Sequence, residues 1–280
     1  GRVVMHDLGI GTDGDLLWFN LAPRLGDPRT RWLQNADLRR AISDAVDREA
    51  FVNTVYLGAA VPAYGVVSPG NEAWYYQVSN PVHDRNTSRR LLDGLGLFEQ
   101  NESGIRTDAA GEPARFTLIT QAGNTSLERG AVFIRDALKE VGVQVDVVPL
   151  EVNALIARIT SGDYDAAYFR LLTTDTDPAL NLDFWLSSGS AHVWHPEQAH
   201  PGTDWERRID RLMLEMSSTL DVERRRQLFA EVQQIWAGEL PAVCFAFPRA
   251  WIVLNPRIRN ATPAPFRPPV LWNPTMLGVG

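Results

Sequence analysis

Three histidines stand close together in this chain: His192, His195 and His200, spaced H-x2-H-x4-H, with Glu197 and Asp204 beside them. Imidazole ligates Zn, Ni or Cu, so the spacing is that of a candidate metal site. A polar surface loop carrying incidental histidines gives the same pattern and is the plainer reading. Five aspartates, Asp163, Asp165, Asp175, Asp177 and Asp183, could supply the carboxylate pair of a glycoside hydrolase. Yet SGDYD is a turn sequence in which aspartate serves the backbone, and Asp177-Pro178 is a helix-entry signal. Cys244 lies in the apolar run VCFAF with no polarising neighbour, which makes it an inert core thiol. There is no H-E-x-x-H, no G-x-S-x-G and no Walker A loop. GIGTDG, Gly9 to Gly14, lacks the third glycine of a phosphate loop and no clear helix follows it. No catalytic residue and no cofactor is assigned from these patterns.

The elements that must carry these residues alternate between strand and helix. LLWFNL at 16–21 reads as a buried strand. Apolar positions from Leu38 to Tyr56 follow helical spacing, which predicts one helix from Ala36 to Leu57 closed by Gly58. VPAYGVVSPGNEAWYY is a loop rich in aromatics, followed by a short helix through Leu91, Leu92 and Leu95. Residues 99–115 read as a surface hairpin or loop. Then come a strand at 116–121, a helix capped near Asn124 and ended by Gly142, and an alternating strand at 143–147. A helix at 152–160, a strand at 165–172 and a helix at 179–186 precede a loop at 187–204. Two long helices, 205–219 and 222–237, and two strands, 243–247 and 251–254, complete the pattern of an α/β or α+β fold.

The chain has 280 residues, 45% of them apolar and 22% charged, enough for one large domain or two small ones. A single cysteine excludes an internal disulfide framework and any multi-cysteine metal site. The net charge of −7 tells against nucleic acid as a partner. Arginine outnumbers lysine 26 to one, a skew that base composition explains as well as function does. No apolar run approaches the ~18 residues of a membrane span. The first fifteen residues do not read as a signal peptide, and the chain does not start with Met, so a mature form or a piece of something longer is expected. Residues 241–280 hold eight of the 18 prolines, four arginines and no acid, which places +4 there and −11 on the rest. Such a segment is expected to run extended along another surface.

Several segments together resemble the family 5 extracellular solute-binding proteins of ABC importers. They are Phe19-Asn20, LRRAISDAVDREAFVNTVYLGAAVPAYG from Leu38 to Gly65, and NPVHDRNTSRRLLDGLGL from Asn80 to Leu97. Leu138 to Val148 follows, leading to SGDYDAAYF and DTDP within Ser161 to Pro178, and then paired helices ending in ELPAV at Glu239 to Val243. The resemblance runs from about residue 18 to 255 and keeps the family's order. It implies an α/β fold, a mixed β-sheet flanked by helices, as one lobe of a class II-like periplasmic solute-binding protein. On that basis residues 1–17 are a segment from the base domain or a crossover. Residues 18–248 are the C-terminal ligand-closing lobe, and 249–280 a return segment that packs on a base domain absent from this chain.

The resemblance also implies a function and a site. The function is to bind a small solute or peptide between two lobes, without chemistry, and deliver it to permease subunits, in the periplasm or outside the cell, with membrane anchoring through a missing N-terminus as one arrangement. A ligand-sensing domain of a transcriptional regulator and a nickel or metal-chelate carrier are the alternatives. The stretch Phe169 to Pro178 corresponds to the family's cleft lining, which nominates Arg170, Leu171, Thr173, Thr174, Asp175 and Asp177. Where the family commonly has an Asp for a peptide's amino group this chain has Thr174, and where it often has an aromatic it has Leu171. Both departures tell against peptide-amine recognition. Arg129 matches a position where dipeptide binders hold the carboxylate. Tyr64 and Trp74 lie on or after the segment resembling a gating loop.

Overall fold

The computed structural model describes residues 3–174 and 176–280; Asp175 lies outside them. Among the described residues, β1 (Val4–Ile10), β2 (Gly14–Phe19), β3 (Ala60–Pro62), β6 (Arg115–Gln121), β7 (Gln144–Leu150), β8 (Ala166–Leu171) and β9 (Ala242–Leu254) join one sheet in the order β1-β9-β2-β8-β6-β7, with β3 attached to β9. Its doubly wound part is β6, α5 (Thr125–Lys139), β7, α6 (Val152–Thr160) and β8. β6 lies between β7 and β8 and is parallel to both. The two crossover helices cover opposite faces. Leu127, Ala131, Ile134 and Leu138 of α5 join one core, and Leu155 and Ile159 of α6 join another. Asn124 caps α5 by accepting from the Leu127 amide, and Gly142 takes the positive φ of 85° that the turn into β7 needs.

The other half of the sheet is antiparallel. β2 (Gly14–Phe19) lies between β8 and β9 (Ala242–Leu254), and β1 (Val4–Ile10) runs along the far end of β9. The two strands expected at 243–247 and 251–254 are thus one. Pro248 does not break it, because β9 changes partner there: β2 below, β3 (Ala60–Pro62) at Pro248 itself, and β1 beyond. The helix expected over 36–57 is two helices, α2 (Ala36–Ala45) and α3 (Arg48–Tyr56), after the short α1 (Thr30–Leu33). Val46 is extended, and the Asp47 carboxylate restarts the helix by accepting from the Ala50 amide. α4 (Arg85–Gly94) packs on α2, and β4 (Glu99–Gln100) and β5 (Arg106–Thr107) form the hairpin.

Opposite the α5 face lies an aromatic core. Trp18 stacks on Trp194 with centroids 5.7 Å apart and meets Phe184 and Trp236 edge-on. α7 (Leu182–Trp185), which a 3₁₀ turn at Pro178–Asn181 precedes, and the paired helices α8 (Asp204–Ser218) and α9 (Val222–Glu239) close over it. Residues 255–280 carry only β10 (Ile258–Arg259), β11 (Gly278–Val279) and one 3₁₀ turn. This segment is tied back by Arg267 to Asp13 at 2.7 Å, and Leu271, Trp272 and Met276 stay exposed on it.

Candidate functional site

Side chains alternate along β8. Tyr168 faces the core beneath α5, whereas Phe169 and Leu171 pack toward the aromatic core. Arg170 therefore shares the α5 side with Tyr168. Directly across the ladder its register partner on β2 is Asp15, which is wholly buried. Arg170 Nε donates to Asp15 Oδ1 at 2.8 Å, and its Nη2 donates to the Tyr56 hydroxyl at 2.6 Å and approaches Ser126 Oγ at 3.4 Å. Asp15 Oδ2 accepts from the hydroxyls of Tyr168, at 3.1 Å, and Tyr56. Burial, with the Asp15 charge, pushes both phenols well up, so they act as donors. Burial opposes the Arg170 charge, but Asp15 and Tyr56 outweigh it and keep the guanidinium protonated.

This cluster opens on a cavity of about 220 Å³ at the end of the sheet. Its wall is Arg170, the β1–β2 turn at Gly11 to Asp13, β9 from Pro248 to Ala250, and the returning tail at Pro265, Arg267 and Pro269. The C-terminal ends of parallel strands are where open α/β sheets bind ligands, because crossover loops leave a crevice there. The turn is pinned by Gly11, whose amide donates to Pro248 O at 2.8 Å, and by Ser68, whose hydroxyl donates to Gly11 O at 2.6 Å. GIGTDG is thus the β1–β2 connection, with a strand after it and no helix.

A family model of the bacterial extracellular solute-binding proteins, family 5 (middle region), matches residues 5–192. The chain belongs to this family. A probable ABC transporter-binding protein of Deinococcus radiodurans is 30% identical over 136 residues, 48% of this chain and 23% of that protein. A probable di/tripeptide-binding protein of Pseudomonas aeruginosa is 25% identical over 246 residues, 87% of this chain and 42% of that one. The oligopeptide-binding protein AppA of Bacillus subtilis, in complex with a nonapeptide, shares the fold with a TM-score of 0.80 at 22% identity. That match covers all of this chain and 52% of AppA. The chain spans at most about half the length of each of these proteins. The mixed α/β lobe expected from the family resemblance is the fold observed.

The nominated family 5 residues do not converge on one place. Arg170 lines the cavity. Arg129 lies one helical turn beyond Ser126, exposed and without a hydrogen bond or ion pair among the described residues. Leu171 points to the opposite face of the sheet from Arg170. Thr173 and Thr174 are buried inside this chain, and the Thr173 hydroxyl donates to Val66 O at 2.7 Å. Asp177 caps the 3₁₀ turn and takes both its oxygens to Arg225 Nη2 at 2.7 Å. Trp74 is buried, with its indole N–H on Thr176 O at 2.8 Å and the Arg225 guanidinium over its ring. Thr173, Trp74 and, through Arg225, Asp177 knit the 66–78 loop to the 173–178 segment with partners inside the chain, whereas the buried Thr174 hydroxyl has no hydrogen-bond partner among the described residues. Tyr64 stacks under Arg48 and does not line the cavity. Asp175 lies outside the described residues.

The histidines do not make a ligand set: the His195 amide donates to His192 O at 3.2 Å, which keeps those two close, but His200 is apart from them on the surface. His192 is buried against Trp194, its Nε2 3.3 Å from Glu206 Oε1. Among the described residues no group of three His, Cys, Asp or Glu is placed to hold a metal ion. Two of the aspartates are tied up, Asp165 by Arg24 at 2.5 Å and Arg29 at 2.9 Å and Asp163 by Arg158 at 3.1 Å, and Asp183 lies exposed. Cys244 is buried, and burial pushes its thiol up to about 12.

Sequence reasoning missed Asp15, Tyr56, Tyr168 and the glycine that makes room for them. Gly130 lies on α5 where a Cβ would stand 2.8 Å from Tyr168 ring atoms. That ring is fixed by burial and by its bond to Asp15. Gly130→Ala is therefore expected to destabilise the chain by about 2 kcal/mol despite alanine's better helix propensity. Urea midpoints of the two proteins check this; an equal or higher midpoint for the variant would show that α5 can move aside.

Proposed function

We propose that this chain is the ligand-closing lobe of a solute receptor that hands its solute to an ABC permease. The observation that carries this reading is Arg170, held by buried Asp15 and opening on a cavity at the C-terminal edge of the sheet. A guanidinium so fixed binds an anionic oxygen group of the solute with little ordering left to do. The receptor binds and releases without chemistry. A second lobe, not part of this chain, completes the cleft, and hinge closure traps the solute. The expected boundary at 17/18 falls inside β2, a central strand of the sheet, so the lobe takes in Gly14 to Leu17 together with residues 18–248. β1, within the 1–17 segment, and the 249–280 return segment present exposed Val4, Met5, Trp251, Val253 and Trp272 to that second lobe. Periplasmic or extracellular residence follows from the same reading. Among the described residues no helix is long and apolar enough to cross a membrane.

Peptides head the solutes to screen, since the Pseudomonas relative is named for di- and tripeptides and AppA was captured with a nonapeptide. Calorimetry on the complete receptor is the test. Arg170→Gln is expected to weaken the solute it selects by roughly ten- to a hundredfold, the value of a charge-assisted hydrogen bond. Unchanged affinity would remove Arg170 from the site. The chain alone, with half a cleft, is expected to bind far more weakly; micromolar binding of a di- or oligopeptide to it would refute the two-lobe reading.

A further inference from the structure

The arrangement around Arg170 restricts which solutes it can serve. Its Nε edge is closed by Asp15, and Nη2 is drawn to Tyr56 and Ser126. Nη1 has no partner among the described residues. What remains is the outer end of the guanidinium, and the usual side-on fork through Nε is blocked. The charge is matched as well. Asp15 is fully buried, so water does not screen it from Arg170 or from anything Arg170 binds.

The same balance holds around the rest of the cavity. Arg249 pairs with Asp7, and Arg267 pairs with Asp13 at 2.7 Å. Each of the three guanidinium groups in the wall already faces a carboxylate. One incoming negative charge finds the free Nη1 end. A second finds no unmatched cation and stands close to the buried Asp15 charge, and like charges in such a place repel.

We propose that Asp15 is a specificity-determining positioning residue, which makes the Arg170 cavity select solutes presenting one negative charge, a carboxylate, over those presenting a dianion such as a phosphate or phosphonate. The inference rests on the reading of Arg170 as the solute anchor. Acetate and methylphosphonate differ mainly in that charge when the buffer is alkaline enough to make the phosphonate a dianion. Their binding to the complete receptor is followed by nitrogen-15 NMR of the Arg170 Nε–H signal, assigned by its loss in Arg170→Gln. Acetate is expected to shift the signal at a concentration about tenfold below that of methylphosphonate, and Asp15→Asn to erase or reverse that preference. Tyr56→Phe, which loosens the guanidinium but keeps the charge balance, is expected to weaken both probes and leave their ratio unchanged. Equal or better binding of methylphosphonate by the unaltered receptor overturns the charge-balance inference while leaving Arg170 an anchor. A signal that neither probe moves overturns both. The comparison on the unaltered receptor decides even if Asp15→Asn fails to fold.

Discussion

Arg48→Ala is expected to cost about 3–5 kcal/mol of stability, the largest loss of any single arginine in this chain. Arg48 is buried, and among the described residues no carboxylate pairs with it. Its Nε donates to Ala63 O and Cys244 O, both at 2.9 Å. Nη1 donates to Ser43 O at 2.9 Å and Nη2 to Ser43 Oγ at 2.8 Å. The guanidinium lies 5.1 Å from the Tyr64 ring centroid and 5.7 Å from that of Phe245. One side chain thus binds the end of α2, the start of α3, the loop after β3 and the middle of β9. Burial lowers its pKa, and the carbonyl dipoles and ring faces are what keep the charge tolerable there. Alanine leaves three buried carbonyls without a donor and a cavity between two rings. Lysine restores the charge but not the fork, so Arg48→Lys should recover less than half of the loss. Urea unfolding of the three proteins measures this; an alanine variant within about 1 kcal/mol of the parent would contradict it.

Acid is expected to remove about 3 kcal/mol through one carboxylate, Glu206. Burial alone would raise it. Hydrogen bonds from His192, Gln198 and Thr203 outweigh that and hold it at about 2, against 4.5 for the free side chain. Its Oε2 accepts from the Gly202 amide at 3.0 Å and from the Thr203 amide and hydroxyl, both at 2.9 Å. A folded pKa below the unfolded one means the stabilisation is complete above about pH 4.5 and disappears as pH falls through about 2. Glu206→Gln should be less stable than the parent near neutrality, and the gap should close in that acid window. Urea midpoints across it are the measurement, and a gap independent of pH would assign the effect to packing. The physical consequence is local. Glu206 holds the 187–203 loop, and with it His192 and Trp194, onto the head of α8.

Arginine explains part of what composition left open. Arg48, Arg39 and Arg106 are each buried and collect backbone carbonyls, Arg39 from Gln34, Glu239 and Leu240 at the C-terminus of α9, and Arg106 from Leu97 and Val141. A planar five-donor group can do this and an ammonium cannot. The skew toward arginine has a structural use at these positions whatever its origin.

The helices with a complete local code were legible. α5 has its cap at Asn124, its apolar stripe and its terminal glycine, and the structure places it there. The break at Val46-Asp47 was legible in principle, since Asp47 is a capping residue, but the apolar spacing runs on through it and hides it. β9 reads in the sequence as two strands on either side of Pro248, which lacks an amide hydrogen; the strand runs through because it changes neighbours there. The site divides in the same way. Arg170 was nominated by resemblance. Asp15 lies in GDLLWF, 155 residues away, with nothing in its surroundings to mark it as a partner.

By itself the sequence determined the family, the alternation of strand and helix that makes an α/β lobe, and the absence of any familiar catalytic signature. Those properties depend on local spacing and on residue order, which are written in one dimension. Only the tertiary structure decided that Thr173, Asp177 and Trp74 find partners inside the chain, that Thr174 is buried, that Tyr64 lies under Arg48, and that Arg170 meets Asp15. Those outcomes depend on sheet register: the antiparallel pairing of β2 with β8 sets Asp15 opposite Arg170, and a shift by one residue would turn both to other faces.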